Sequence, residues 1–316
     1  MNILITGAAG FIGSNLADTL LSSGHNVIAV DNFNDYYNVA LKERNVSPNL
    51  LNKNYKLYRC DICDAGRMES IFTDNNIDVV AHLAARAGVR PSLENPIAYA
   101  ETNITGTINI LELMQIHNVK KLVFASSSSV YGNCKSEQFS EDLKISEPIS
   151  PYAATKSACE QIIYTYYHLY NINAVCLRFF TVYGPRQRPD LAIRKFVEKI
   201  RNGTPIDMYG DGTTKRDYTF ITDIISGIIA SIQYSKTGYE IINLGGGEPI
   251  SLKRMIATIE QVLQTKAIIN YKPMQPGDVY KTVCDWSKAK TLLGYSPKTK
   301  FLDGIKQFVE WDNANR

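Results

Sequence analysis

Tyr152-Ala-Ala-Thr-Lys156 places a phenol and an ammonium four residues apart. In a helix that spacing puts both on one face, where the ammonium can act on the phenol. A free phenol, with a pKa of about 10, is a poor base at neutral pH. A neighbouring Lys stabilises the phenolate and brings it into the range for proton transfer. Pro151, just after Ser150, suits a first helical position. The pattern predicts a helix from there to about Tyr170. Upstream, Phe124-Ala-Ser126-Ser-Ser-Ser129-Val-Tyr131-Gly132 closes an apolar run with a row of hydroxyls.

A second set of residues would hold the partner in that chemistry. Gly7-Ala-Ala-Gly10-Phe11-Ile12-Gly13 follows a short apolar strand and opens an amphipathic helix. In that context Gly7 permits a tight turn, Gly10 lets backbone approach a pyrophosphate, and Gly13 allows helix and strand to pack closely. The helix N-terminus, entered through Phe11 and Ile12, adds N–H donors and the positive end of the dipole. Asp31, followed by Asn32, stands 18 residues after Gly13 at the end of the second strand. A carboxylate there accepts from ribose hydroxyls and repels a 2′-phosphate, which favours NAD over NADP. The nicotinamide ring would add positive charge beside the Tyr152 phenol. Asp61 and Ile62 end the third strand, where an adenine-contacting group belongs; a solvated loop Asp is the alternative.

The elements that must position these groups alternate along the chain. Apolar runs at Ile3–Ile5, Val27–Val30, Tyr55–Tyr58, Val79–Ala81, Leu122–Ala125 and Ala174–Arg178 read as strands. Helical periods near 12–23, 65–75, 97–117 and 152–169 lie between them. That order predicts an α/β fold: a Rossmann-type doubly wound parallel sheet with a smaller α/β substrate domain. Turn signals crowd after about residue 180, at Gly184-Pro185, Gly210–Gly212, Gly245–Gly247 and Pro276-Gly277. Ser251 and Ser287 are expected N-caps there. The division is an NAD-binding part over 1–180, to which segments near 218–244 return, and a second part over 181–316.

Composition excludes other classes. Lys and Arg (34) nearly balance Asp and Glu (31) for a net charge of +3, too even for a nucleic-acid partner. No apolar run reaches the roughly 18 residues of a membrane span, and the first residues read as a strand, not a leader. The six cysteines suit a reducing compartment, so a cytoplasmic location is expected. Cys60 and Cys63 form a C-x-x-C without a second pair, so no metal site is expected.

Taken together, the glycine turn, the serine run and Y-x-x-x-K resemble the extended short-chain dehydrogenase/reductase family, in its nucleotide-sugar epimerase and dehydratase branch. The likeness covers essentially the whole chain. It implies that Ser127, three residues before Val130, is the catalytic hydroxyl beside Tyr152 and Lys156. It implies that His82-Leu83-Ala84-Ala85 borders the nicotinamide ribose and that Asn103 is the branch's buried Asn in the central helix. Gly210-Asp-Gly-Thr-Thr-Lys-Arg216 and Pro276-Gly-Asp278 are similar to its nucleotide grips, with Arg216 on pyrophosphate and Asp278 on ribose. The branch's 4,6-dehydratases carry an Asp-Glu pair where this chain has Ser128 and Ser129, and its decarboxylases a Glu nearby, so the resemblance leaves epimerisation. The helix after Pro151 is apolar or aromatic over most of its circumference, with Tyr164, Tyr166, Tyr167 and Tyr170. A homodimer is expected to cover its outer face, with the chain's own second half as the alternative cover.

Asp31-Asn-Phe-Asn-Asp-Tyr-Tyr37, Gly88-Val-Arg90 and Phe180-Thr181-Val-Tyr-Gly-Pro-Arg186-Gln-Arg188-Pro-Asp190 most resemble the branch's UDP-glucuronate 4-epimerases. By that likeness Arg90, Thr181, Arg188 and the Ser127–Ser129 hydroxyls would meet the UDP-sugar, with Thr181, Arg188 and the serines around its carboxylate. Arg86 departs from the usual pattern and is a further contact or a solvated loop residue. The alternatives are a UDP-glucose or UDP-N-acetylglucosamine 4-epimerase, and further off a 4,6-dehydratase or a non-catalytic NAD-binding regulator.

Overall fold

In the computed structural model, which describes residues 1–273 and 280–315, each predicted strand forms. They are β1 (Asn2–Thr6), β2 (Asn26–Asp31), β3 (Tyr55–Arg59), β4 (Val79–His82), β5 (Lys121–Ser127) and β6 (Asn173–Phe179). Helices α1 (Phe11–Ser22), α2 (Val39–Val46) and α3 (Ala65–Asp74) join the first four strands. Helices α4 (Val89–Glu94), α5 (Pro96–Ala100) and α6 (Gly106–Ile116) lead into β5, and α7 (Pro151–Tyr170) precedes β6. The second half continues with β7 (Thr181–Tyr183), α8 (Ala192–Arg201), β8 (Ile206–Tyr209), β9 (Lys215–Phe220), α9 (Ile221–Gln233) and β10 (Tyr239–Leu244). It ends with β11 (Pro249–Ser251), α10 (Leu252–Leu263), β12 (Ile269–Lys272), α11 (Ser287–Leu293) and α12 (Phe301–Ala314).

Seven strands form one sheet in the order β10-β6-β5-β4-β1-β2-β3, with every neighbouring pair parallel. This is the doubly wound α/β architecture. β11-β9-β7 and β12-β8 make two small sheets. Parallel strands covered on both faces should be apolar throughout, and Ile3, Leu4 and Ile5 are all fully buried. Because successive side chains alternate, Ile3 and Ile5 join a core with Leu16 and Leu20 of α1 and Ile224 and Ile228 of α9. Leu4 joins the opposite core with Met68 of α3, Met114 of α6 and Ile163 of α7.

Two local expectations are corrected. The segment expected as one helix near 97–117 is α5 and α6 joined by a π-turn over Glu101–Thr105. The wider turn carries Asn103, whose amide bonds Arg86 and Thr155, contacts a sequence period cannot foresee. Ser251 caps α10 by accepting from Arg254 N, but Ser287 is itself the first residue of α11, and Asp285 accepts from its N–H. On α7, Tyr164 and Tyr167 pack against Tyr239 of β10, so the chain covers part of the aromatic surface itself. Ala154, Gln161, Thr165 and Leu169 remain exposed along the outer stripe.

The glycine turn sets the tightest packing. A Cβ on Gly13 would lie 2.2 Å from the Gly7 carbonyl oxygen, whereas one on Gly66 in α3 would meet only Asp64 Oδ1 at 4.0 Å. Gly13→Ala should therefore destabilise by about 1–3 kcal/mol through overpacking. Gly66→Ala should be neutral or stabilising by up to ~1 kcal/mol. Urea unfolding of the two variants checks the contrast; equal stabilities would contradict it.

Candidate functional site

The carboxyl ends of β1, β2, β4 and β5 open onto a cavity of about 340 Å³, lined at its first end by Gly7, Gly10, Phe11, Ile12 and Gly13. Gly7 has φ +70°, a conformation that costs glycine little. Gly10 caps α1 without any side-chain acceptor on the first-turn N–H groups. Donors so arranged at a helix N-terminus suit an anionic pyrophosphate. Asp31, buried at the end of β2, is tied to this turn: Oδ2 accepts from Ala9 N at 3.1 Å and Oδ1 from Phe33 N at 2.9 Å. Asn32 Nδ2 donates to Asp61 Oδ2 at 2.6 Å, and both residues line the cavity with Ile62. Leu83, Ala84 and Ala85 form the wall after β4, where Ala84 N donates to Thr6 Oγ1 at 3.2 Å.

The other end holds Ser127, Tyr152, Lys156, Thr181 and Arg188. Helix α7 begins as its sequence predicts, with Pro151 in the first turn and Ser150 Oγ accepting from Ala153 N at 3.1 Å. Lys156 Nζ donates to the Ala125 carbonyl at 2.7 Å, and burial pulls its pKa down to about 8. His82 lies buried between Thr6 Oγ1 and Thr107 Oγ1, at 2.7 and 3.0 Å. Burial, and then the Lys156 charge, push it down to about 3, so its imidazole is neutral. The Tyr152 phenol is pushed up by burial, while a hydrogen bond with Ser127 and the charge of Arg188 pull it back. Lys156, the residue expected to lower this phenol, lines the same cavity.

Arg188 is itself held in place. Nε and Nη2 donate to the two oxygens of Asp190 at 3.0 and 2.8 Å, Nη2 also reaches the Ala87 carbonyl at 3.2 Å, and the guanidinium lies over the Tyr36 ring.

Several residues expected at the site are outside the cavity's lining. Asn103 does not line the cavity; its amide joins the Arg86 backbone to Thr155 of α7. Ser128 and Ser129 belong to a 3₁₀ turn beyond β5 and are not in the lining; Ser129 N donates to Ser127 Oγ. Arg90 sits over the Tyr209 ring at 5.3 Å, and Arg216 Nη1 donates to the Lys215 carbonyl, both apart from the cavity lining. Asp278 lies outside the described residues. Arg86 does line the cavity.

Sequence reasoning missed Tyr36 and Lys42, both in the lining. Lys42 is 5% exposed, with Nζ 3.6 Å from Asp31 and donating to Asn34. The available signal was a Lys on the inward side of the helix after Asp31. Among the described residues, no group of three or more His, Cys, Asp or Glu could hold a metal, and no helix is long and apolar enough to cross a membrane.

Comparison with known proteins places this geometry. The family model described as GDP-mannose 4,6 dehydratase matches residues 4–308. The chain belongs to the NAD-dependent epimerase/dehydratase family. Within it, the chain is an enzyme of the UDP-sugar 4-epimerase group. It is 48% identical over 313 residues to a UDP-glucuronate 4-epimerase of Thermodesulfobacterium geofontis, covering 99% of this chain and 96% of that one. It superposes with TM-score 0.95 at 38% identity on the Bacillus cereus UDP-glucuronic acid 4-epimerase solved with UDP-glucuronic acid and NAD, over all of both chains. The Thermotoga maritima UDP-glucose 4-epimerase solved with UDP-glucose gives 0.91 at 34%, over 100% of this chain and 99% of that one.

The site's own geometry fits a dinucleotide. A Cβ on Gly7 or Gly13 would clash with backbone within 3 Å, so the cradle stays open only to glycine, and Asp31 and Asp61 frame its far end. Since Arg188 lowers the phenol, Arg188→Ala should raise the pKa of Tyr152 further. Phenolate absorbance, taken as the difference from Tyr152→Phe, should titrate at higher pH in the Arg188→Ala background; an unmoved midpoint would contradict the coupling.

Proposed function

We propose that the protein interconverts UDP-glucuronate and UDP-galacturonate by oxidation and re-reduction at C4, with retained NAD as cofactor. Arg188 carries the choice of sugar: a guanidinium, fixed by Asp190 and Ala87, shares one cavity with Thr181 and the phenol of Tyr152. Charge-assisted donors of this kind suit a carboxylate. The identities to UDP-glucuronate 4-epimerases support the same sugar.

NAD, when bound, supplies a hydride acceptor, then a hydride donor, and a positive ring. The glycine turn and the N-terminus of α1 hold the pyrophosphate, and Asp31 the adenosine ribose. Tyr152 takes the proton of the C4 hydroxyl as that carbon is oxidised and gives it back after the ketone has turned over. Ser127 donates to the same oxygen, and Lys156 holds the nicotinamide ribose. Oxidised glucuronate is a β-keto acid, which loses CO₂ when its carboxylate bond aligns with the carbonyl π system. Thr181 and Arg188 hold the carboxylate out of that alignment, an orientation effect.

The enzyme works as a homodimer through the outer stripe of α7 and the neighbouring face of α6. Ala154, Ala158 and Leu169 there are small or apolar, and Ile97 of α5 nearby is exposed. Sedimentation should show two 35.4 kDa chains, and Ala158→Glu should give monomers.

Purified protein given UDP-glucuronate without added cofactor should form UDP-galacturonate and release little CO₂. Tyr152→Phe should lose about 10²–10⁴-fold in kcat. Arg188→Ala should lose about tenfold to a hundredfold more on the uronate than on UDP-glucose, the worth of a charged hydrogen bond. Conversion of UDP-glucose alone would overturn the choice of sugar, and a fully active Tyr152→Phe would overturn the mechanism.

A further inference from the structure

The roles given to Tyr152, Ser127 and Lys156 leave unused the most deeply buried ion pair among the described residues. Glu160 and Arg178 are each 1% exposed. The guanidinium meets the carboxylate side-on, Nε donating to Oε1 at 2.9 Å and Nη2 to Oε2 at 2.8 Å. Taking both charges from water is costly, and apolar residues of similar volume often hold a core as well or better. Stability alone is therefore a weak reason for this pair.

Its neighbours suggest another reason. Ser126 Oγ donates to Glu160 Oε1. Ser126 stands between Ala125, whose carbonyl receives Lys156 Nζ, and Ser127, whose hydroxyl meets Tyr152. Arg178 of β6 lies directly opposite Ser126 in the strand register. Glu160 follows Lys156 by four residues on α7, which places both on one helix face. The Glu160 carbonyl also accepts from Tyr239 Oη of β10 at 2.8 Å, and the Arg178 guanidinium covers the Tyr131 ring. One carboxylate thus joins α7, β5 and β6 beside the β5 residues that precede Ser127 and receive Lys156.

We propose that Glu160 is a positioning residue: clamped by Arg178, it fixes the end of β5 through Ser126 and so sets Ser127 and Lys156 about the Tyr152 phenol, a role that rests on the reading of those three residues given above.

The pair also bears on Lys156 electrostatically. The titratable groups that act on its ammonium are Cys159 and Glu160 of α7, His82 of β4 and Cys176 of β6. Burial keeps both thiols protonated and His82 neutral. Glu160 is then the negative charge that opposes the effect of burial on Lys156, with Arg178 as its counter-charge.

Glu160→Gln keeps the shape and removes the charge. In the full enzyme, the titration of Lys156, followed by the NMR shift of labelled Cε and assigned by difference from Lys156→Met, should move down by ~1 pH unit. The alkaline limb of the kcat profile should move down with it, and kcat should fall about tenfold or more, with KM nearly unchanged. Ser126→Ala cuts the tie to β5 but spares the pair. It should lower kcat and leave the Lys156 midpoint in place. Should Glu160→Gln not fold with Arg178 unpaired, Glu160→Gln/Arg178→Met removes both charges and should still lower kcat in folded protein. Folded variants with kcat and Lys156 midpoint like the wild type would overturn the proposal. So would an activity loss that only follows the folded fraction. If Tyr152→Phe were active, the mechanism itself would fall; with Tyr152→Phe inactive and Glu160→Gln normal, only the role of Glu160 would.

Discussion

Three stretches of backbone meet at the end of β1 with no space for a side chain between them. The turn at Gly7 presses on Ala84 after β4, and α1 at Gly13 presses on the Gly7 carbonyl. This contact sits where the strand order reverses, because β1 has β2 on one side and β4 on the other. Chain leaving β1 goes one way to β2 and chain leaving β4 the other way to β5, so a crevice opens at their carboxyl ends. Close approach of α1 aims uncapped N–H groups into that crevice. Asp31 reinforces the arrangement by accepting from Ala9 N, so the carboxylate at the end of β2 also secures the glycine turn. Any side chain added at Gly13 loosens both at once.

From that crevice the site extends along β5 into drier surroundings. Tyr152, Lys156 and His82 lie where burial penalises charge, and each responds by shifting toward its neutral form. In such surroundings each polar contact is electrostatically strong, and each unmade one is costly. The structure meets that cost by pairing nearly every group: Lys156 with Ala125, His82 with two threonines, Ser126 with Glu160, Glu160 with Arg178. The result is a set of polar groups whose positions are determined by strand ends and helix α7 and not by flexible loops. Small movements at β5 would be felt at Ser127 and Lys156 together.

Features encoded by neighbours along the chain were legible in the sequence. Gly7, Gly10 and Gly13 between strand and helix, Asp31 at a strand end, and Ser150-Pro151 before Tyr152 act through local backbone geometry, and each stands where its pattern put it. What escaped depends on residues far apart in sequence. The π-turn at Glu101–Thr105 exists because Asn103 bonds Arg86 and Thr155. Lys42 is buried because Asp31, Asn34 and the Tyr37 ring surround it. The i, i+4 rule puts Lys156 on one face with Tyr152 but cannot show that one of its N–H donors meets the Ala125 carbonyl of β5. Arg90 and Arg216, expected by likeness at the nucleotide-sugar, have contacts with Tyr209 and the Lys215 carbonyl that no local pattern announces. Arg188 does line the cavity, together with Arg86, Lys42 and Lys156.

The charge of Arg188 shows how a near-neutral chain can present a cation in its cleft. A bare guanidinium in a half-buried pocket would lose hydration without return, and a mobile one would lose side-chain entropy on meeting a ligand. Asp190 and Ala87 remove both difficulties before any ligand arrives, because they satisfy Nε and Nη2 and fix the plane of the group over Tyr36. Asp190 cancels Arg188 in the net count while leaving its orientation intact. The field at the phenol of Tyr152 therefore depends on placement: Arg188 still lowers that pKa although its charge is formally paired. Composition reports the sum of charges, and the chemistry depends on which of the two partners stands nearer the reacting oxygen.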